Sequence, residues 1–222
     1  MIELDVQQST DGELFVFHDD TLERLCGEAI PVSSLTWEVL SSKIVGHWQR
    51  QALRMPRLTD VFATLRRSLC YNIELKTGTV AYPGIEERVA RLVQLHGLAE
   101  RVLVSSFHHD SLRLVRQAAS SLLLGLLLSL EQAQRFGNPA AIVARAQEFG
   151  CFSVHPDFRI LHSWPTLVAA CHAAGLRVFP WTVDNPQAWQ FLVENLRVDG
   201  IITNDPGRLY EWLLMRVSLK RD

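Results

Sequence analysis

Two short segments set carboxylates at alternate positions among apolar residues. In Ile2-Glu3-Leu4-Asp5-Val6, the period of two of a β-strand puts Glu3 and Asp5 on one face and Ile2, Leu4 and Val6 on the other. In Asn72-Ile73-Glu74-Leu75-Lys76, the same arithmetic gathers Asn72, Glu74 and Lys76 on one face. If the two strands are neighbours, three carboxylates converge. Carboxylates withdrawn from water lose hydration and repel one another, so such a group needs a neutralising charge. Oxygen donors of this kind suit a hard divalent cation, Mg²⁺ or Ca²⁺, and do not choose between the two. Zinc fits less well, because no His or Cys stands at ligand spacing beside them. Lys76 is one of only three lysines in a chain with 19 arginines. A compact ammonium beside carboxylates and a phosphate is a reason to place lysine there. The competing explanation is an inward ion-pair cluster that only closes the fold. The apolar residues that normally fill barrel interiors argue against it.

His18 directly follows the apolar run Phe15-Val16-Phe17 and precedes Asp19 and Asp20. An imidazole held at a strand end can give or take a proton near neutral pH, although a His-Asp pair at such a place also serves as a turn. His108 and His109, after Ser105-Ser106-Phe107, and His155, at another strand end, read as pocket-lining or surface residues. His47, His96, His162 and His172 read as structural. Trp181, in Pro180-Trp181-Thr182-Val183-Asp184, is equally suited to plug a core and to form the apolar wall of a binding pocket.

The elements that must carry these residues alternate in type. Strand-like runs fall at 2–6, 71–76, 102–107, 122–128, 152–155, 178–183 and 200–203, with helix signals between them. Asn138-Pro139 and Asn185-Pro186 each offer an N-cap followed by proline at the first helical position. Ser163 is expected to open a helix with Leu167, Val168 and Cys171 on one face, ending at Gly175. Gly97 is expected to end a helix carrying Ile85, Val89, Leu92 and Val93. This rhythm predicts a parallel α/β sheet with helices outside it. A (β/α)₈ barrel of the TIM type has eight strands and typically ~250 residues. The expectation is therefore one barrel domain over residues 1–222 that lacks its first strand-helix unit. Residues 8–60 break the rhythm and read as an insertion, with a strand near Phe15–Asp19, a short helix near Trp37–Ile44, and a helix from Thr59 carrying Phe62, Leu65 and Leu69.

Composition agrees with a globular interior: 48% of the 222 residues are hydrophobic and 21% are charged. A net charge of −2 with no basic stripe argues against nucleic acid as the main partner. The longest apolar run, Leu122 to Leu130, is too short to span a bilayer. Cys26, Cys70, Cys151 and Cys171 show no paired spacing and read as reduced thiols of a cytoplasmic protein. No signal peptide is visible at Met1, and any leader before Met1 would lie outside this sequence.

In order along the chain, Ile2-Glu3-Leu4-Asp5-Val6, Thr10-Asp11-Gly12, Phe17-His18-Asp19-Asp20-Thr21-Leu22-Glu23-Arg24 and Asn72-Ile73-Glu74-Leu75-Lys76 resemble the glycerophosphodiester phosphodiesterase family, most closely its bacterial cytosolic members. Arg101-Val102-Leu103-Val104-Ser105-Ser106-Phe107, Trp181-Thr182-Val183 and Val198-Asp199-Gly200-Ile201-Ile202-Thr203 extend the match. The resemblance implies a TIM barrel that hydrolyses glycerophosphodiesters to glycerol 3-phosphate and an alcohol. It implies a divalent cation on Glu3, Asp5 and Glu74, and His18 as an acid/base residue; Lys76 and Trp181 stand beside these as the substrate-binding candidates read from the residues themselves. The family's opening strand, with His-Arg-Gly and then Pro-Glu-Asn-Thr, does not occur in this sequence. Two alternatives follow: a non-catalytic or decayed barrel, and a phospholipase-like enzyme acting on another phosphate ester. A missing strand could also be supplied by a second subunit, so a homo-oligomer is a further expectation.

Overall fold

The computed structural model describes residues 1–219, which form two compact units, Met1–Leu124 and the residues from Gly125 onward. The first unit contains β1 (Ile2–Gln8), β2 (Leu14–Val16), β3 (Ile44–Trp48), β4 (Gln51–Arg54), β5 (Tyr71–Leu75) and β6 (Val102–Ser106). Its main sheet runs in the order β2-β1-β5-β6. β1 and β5 are parallel neighbours, with Glu3 opposite Asn72 and Asp5 opposite Glu74. β6 follows in parallel and sets Ser105 opposite Glu74. The alternating side chains Val6, Tyr71, Ile73 and Leu75 are fully or almost fully buried. The helix Ile85–Leu95 covers the sheet with Ile85, Val89, Ala90 and Val93, spaced to share one side of the helix.

β1 runs two residues past the expected strand, and this places Gln7 in register with Phe15 of β2. Residues after β1 build an excursion with its own interior. Phe15, Phe17, Leu22, Val32, Leu40 and Met55 form a buried group, with Cys26, Leu35, Trp37 and Val45 packed against it. The expected strand near Phe15 is shorter, Leu14–Val16, and the expected helix near Trp37 stops at Ser42 because Ile44 begins β3. β3 and β4 form an antiparallel hairpin absent from the sequence reading. Its turn places Gln49 and Arg50 at φ +47° and +69° without the usual Asn or Gly. The next helix is Leu58–Leu65. It buries Phe62, while Leu69 lies beyond its end and is exposed, contrary to expectation.

The second unit contains most of β7 (Leu123–Leu128), with β8 (Ser153–Pro156) and β9 (Arg177–Val178), parallel and in that order. The caps read from sequence are present. The Asn138 side chain accepts from the Ala141 N–H, and that of Asn185 from the Ala188 N–H. Ser163 closes the helix Phe158–Ser163 instead of opening the next one, which starts at Thr166 after Trp164-Pro165. Leu167, Val168 and Cys171 are buried as expected. The expected last strand at 200–203 is not regular. Its backbone docks through Ile202 N–H to Pro180 O and Val183 N–H to Ile202 O, at 3.0 Å each. Gly200 lies so close to Phe179 that a Cβ would sit 3.0 Å from the ring, so a larger residue would need the ring to shift by a few tenths of an ångström. The four cysteines are free. No helix among the described residues is long and apolar enough to cross a membrane.

Candidate active site

Parallel pairing of β1 with β5 brings together the carboxylates that strand alternation had singled out. One oxygen each of Glu3, Asp5 and Glu74 can be chosen so that all lie within 4.8 Å of one another. Lys76 reaches into the group, with Nζ 3.1 Å from Glu74 Oε1 and 3.6 Å from Asp5 Oδ1. All four side chains are largely withdrawn from solvent. One cation thus faces three carboxylates, and the balance shows in their protonation. Burial, with repulsion from Asp5 and Glu74, pushes Glu3 up to about 8. Burial also raises Glu74, against the pull of Lys76. Burial alone would lower the Lys76 ammonium, but attraction to Glu74 and Asp5 prevails and raises it. Glu3 Oε1 is buried and has no hydrogen-bond partner. A buried orphan oxygen beside two other carboxylates fits a bound hard cation. The protein's own groups leave that oxygen unsatisfied.

Asn72, the third residue of this face on β5, is buried, and its Oδ1 accepts a hydrogen bond from Ser105 Oγ at 2.9 Å. It therefore braces β5 against β6.

His18 stands in the loop after β2. Its side chain is 66% exposed, and Nδ1 lies 2.7 Å from Asp19 Oδ1. Asp19 also accepts from Arg24 Nε at 2.6 Å. The Arg24 hydrogen bond, helped by His18, holds the Asp19 carboxyl below the usual range. An ionised carboxylate only accepts, so Nδ1 carries the proton in this pair and Nε2 is left for exchange. The field of His18 acts on Glu74 and favours its ionised form.

The other histidines divide by surroundings. His108 caps the helix His109–Ala118 and lies 3.2 Å from Ser111 Oγ through Nδ1. Gly78 passes so close that a Cβ would meet His108 Cβ at 3.3 Å. His155, expected near a pocket or the surface, is in the core of the second unit with 1% exposure. Its Nε2 pairs with Ser153 Oγ at 2.7 Å, and its ring packs edge-on against Phe179. His96 bonds Thr59, His162 stacks on Phe191 and His172 pairs with Asp199, which agrees with structural roles. Trp181 belongs to the second unit, where its indole N–H donates to the His155 carbonyl at 2.8 Å.

The sequence reading left the role of Asp19 open and missed the pairing of Gln7 with Tyr82. Asp19 was visible only as an acid beside His18, with nothing to fix its direction. Gln7 and Tyr82 meet through a 2.7 Å hydrogen bond across 75 residues, a distance no local pattern encodes.

Comparison with known proteins extends this picture. A glycerophosphodiester phosphodiesterase of Caldanaerobacter subterraneus subsp. tengcongensis is 37% identical over 213 residues, covering 94% of this chain and 83% of the relative. The crystal structure of a glycerophosphodiester phosphodiesterase from Parabacteroides distasonis superposes with a TM-score of 0.79 at 22% identity, covering 97% of this chain and 84% of that one. An Oleispira antarctica phosphodiesterase, solved in complex with the product sn-glycerol-3-phosphate, superposes with a TM-score of 0.74 at 20% identity, covering 95% and 83%. These two likenesses show the fold, the α/β barrel class expected from the strand–helix alternation. Residues 1–208 match the glycerophosphoryl diester phosphodiesterase family, and the chain belongs to that family of phosphoric diester hydrolases.

Proposed function

We propose that this protein hydrolyses glycerophosphodiesters, such as glycerophosphocholine or glycerophosphoethanolamine, to sn-glycerol 3-phosphate and an alcohol. The observation that carries the proposal is the convergence of Glu3, Asp5 and Glu74 around an orphaned carboxylate oxygen, with Lys76 against them. A divalent cation, Mg²⁺ or Ca²⁺, would be held by these three carboxylates and would supply Lewis-acid stabilisation of charge on phosphoryl oxygens.

The chain's own residues do the rest. The ammonium of Lys76 stays charged because two carboxylates face it, and it offsets negative charge on the phosphate. Asp19, fixed by Arg24, orients the His18 ring through Nδ1. In the imidazolium form Nε2 then passes its proton to the leaving oxygen as the P–O bond to the alcohol breaks and a bond to the oxygen of an attacking water forms, the water's proton going to solvent. The free cysteines suit a reducing, cytoplasmic compartment.

The test is release of glycerol 3-phosphate from glycerophosphocholine, with and without EDTA, by the natural chain and by His18→Ala. Chelation should abolish turnover and added Mg²⁺ or Ca²⁺ should restore it. His18→Ala should lower kcat by about 10²- to 10⁴-fold, the usual worth of a positioned acid or base. Turnover that survives EDTA, or an unchanged rate in His18→Ala, would refute the assignment. Failure on glycerophosphodiesters with turnover of another phosphate ester would keep the chemistry and change the substrate.

A further inference from the structure

Gln7 is fully buried, and its polar side chain uses both amide hydrogens and accepts one hydrogen bond at its oxygen. It lies on β1, two residues beyond Asp5 and four beyond Glu3, on the same face of the strand. Its Nε2 donates to Phe17 O at 2.7 Å and to Asp19 O at 2.9 Å. These are the carbonyls immediately before and after His18. Its Oε1 accepts from Tyr82 Oη at 2.7 Å. Carbonyl oxygens only accept, so the amide nitrogen must face them and the amide oxygen must face the phenol. Burial, aided by the charge of Asp20, pushes the Tyr82 hydroxyl up to about 12, so it remains a donor throughout the working range of the protein. One further bond joins the same pieces: Phe17 N–H donates to Asp5 O at 3.0 Å.

A buried amide is costly unless its hydrogen bonds are made, and an apolar residue of similar size would fill the space without that demand. The side chain of Gln7 brackets one residue only, the histidine. It anchors that residue to the strand that carries two of the three converging carboxylates. We infer that Gln7, locked by Tyr82, is a positioning residue that sets His18 against the carboxylate site. In this role it presumes that His18 delivers a proton to the leaving group, as proposed above.

A leaving-group comparison separates positioning from simple support. Glycerophosphoethanolamine releases an alkoxide that needs a proton, whereas the p-nitrophenyl ester of glycerol 3-phosphate releases a phenolate that does not. Gln7→Leu should lose about 10- to 100-fold in kcat on the first substrate, the scale of a small misplacement of a reacting group. KM should stay within about twofold, and the loss on the aryl substrate should be under about threefold on the same reasoning. Tyr82→Phe keeps the ring and removes the hydroxyl, with its bond to Gln7 and its interaction with Ser33. It should show the same selectivity with a smaller loss, and it serves as the test if Gln7→Leu does not fold. Equal losses on both substrates, or a change confined to KM, overturns the positioning role. His18→Ala is the control. If it is selective for the alkyl substrate while the Gln7 and Tyr82 variants are not, the positioning role alone fails. If His18→Ala is itself unselective, the acid role of His18 fails and the role of Gln7 falls with it.

Discussion

Three carboxylates of the first unit crowd around one lysine, whereas Asp199 and Asp157 of the second unit are each held by their own partners. Glu3, Asp5 and Glu74 share a single lysine, Glu3 keeps an orphan oxygen, and both glutamates are held in favour of the protonated form. In the second unit, Asp199 accepts from Arg177 at 2.7 Å, from the Val178 N–H at 2.8 Å and from His172 at 2.9 Å. Burial alone would raise Asp199, but these partners outweigh it and lower the carboxyl below its usual range. Asp157 caps a helix through the Arg159 N–H and holds the Arg159 guanidinium as well. The same side-chain chemistry thus has two uses. A satisfied carboxylate braces the fold, whereas carboxylates that disfavour one another create a demand for a cation.

The sharpest way to break this contrast is to remove one member from each group. Glu3→Gln, Asp5→Asn or Glu74→Gln should each lower kcat/KM by about 10³-fold, because Lewis-acid stabilisation is worth several kcal/mol. Steady-state hydrolysis at saturating Mg²⁺ or Ca²⁺ checks this, and a loss under tenfold would place the cation elsewhere. Asp199→Ala should leave kcat of the folded protein unchanged. It should cost about 1–3 kcal/mol of stability by leaving the part-buried Val178 N–H without its acceptor. A thermal melt beside an activity assay reads both numbers, and an activity loss without a stability loss would erase the distinction.

A subtler effect follows from Glu3. Its folded value of about 8 exceeds the unfolded value of 4.5, so the folded state binds more protons between these limits. Its contribution to stability is present below 4.5 and is lost as pH rises through about 8. Without divalent cation, Glu3→Gln should therefore raise Tm at pH 8 and change it little at pH 4.5. Added cation should raise the natural protein's Tm more at pH 8 than at pH 5, since deprotonated ligands bind it. Equal shifts at both pH values would remove Glu3 from the ligand set.

His155 gives an effect of the opposite sign. Burial lowers it from 6.5 to about 3. Its neutral form supports the fold above pH 6.5, and that support is lost as pH falls through about 3. The Tm of His155→Gln should then fall less between pH 7 and pH 4 than that of the natural chain. Parallel pH profiles would show that the ring is hydrated on this path.

The acidic face was legible in the sequence because strand alternation is a rigid rule and needs no knowledge of contacts. Glu3, Asp5, Glu74 and Lys76 followed from counting by two, and β1 and β5 proved to be neighbours. The N-caps Asn138 and Asn185 were legible for a similar reason, since each acts within four residues. The hairpin of β3 and β4 was not, because its turn uses Gln49 and Arg50, which lack the chemistry that marks such turns. Ser163 misled because a serine before an apolar run resembles an N-cap, and the Trp164-Pro165 break that follows it decided otherwise. Gln7 looked like one more polar strand residue. Its partners lie 10, 12 and 75 residues away, so only the folded chain reveals them.

The excursion after β1 encloses its own apolar interior, from Phe15 and Phe17 to Leu40 and Met55, while Ile44, Trp48 and Leu53 of its hairpin stay exposed. This leaves its outer rim, away from His18 and Asp19, open to change in evolution. Its outer rim can be rewritten by mutation, even by insertion at the Gln49–Arg50 turn, without disturbing the strands that carry the acidic residues. Descendants of this gene could therefore diversify along that rim while inheriting an unaltered reaction centre.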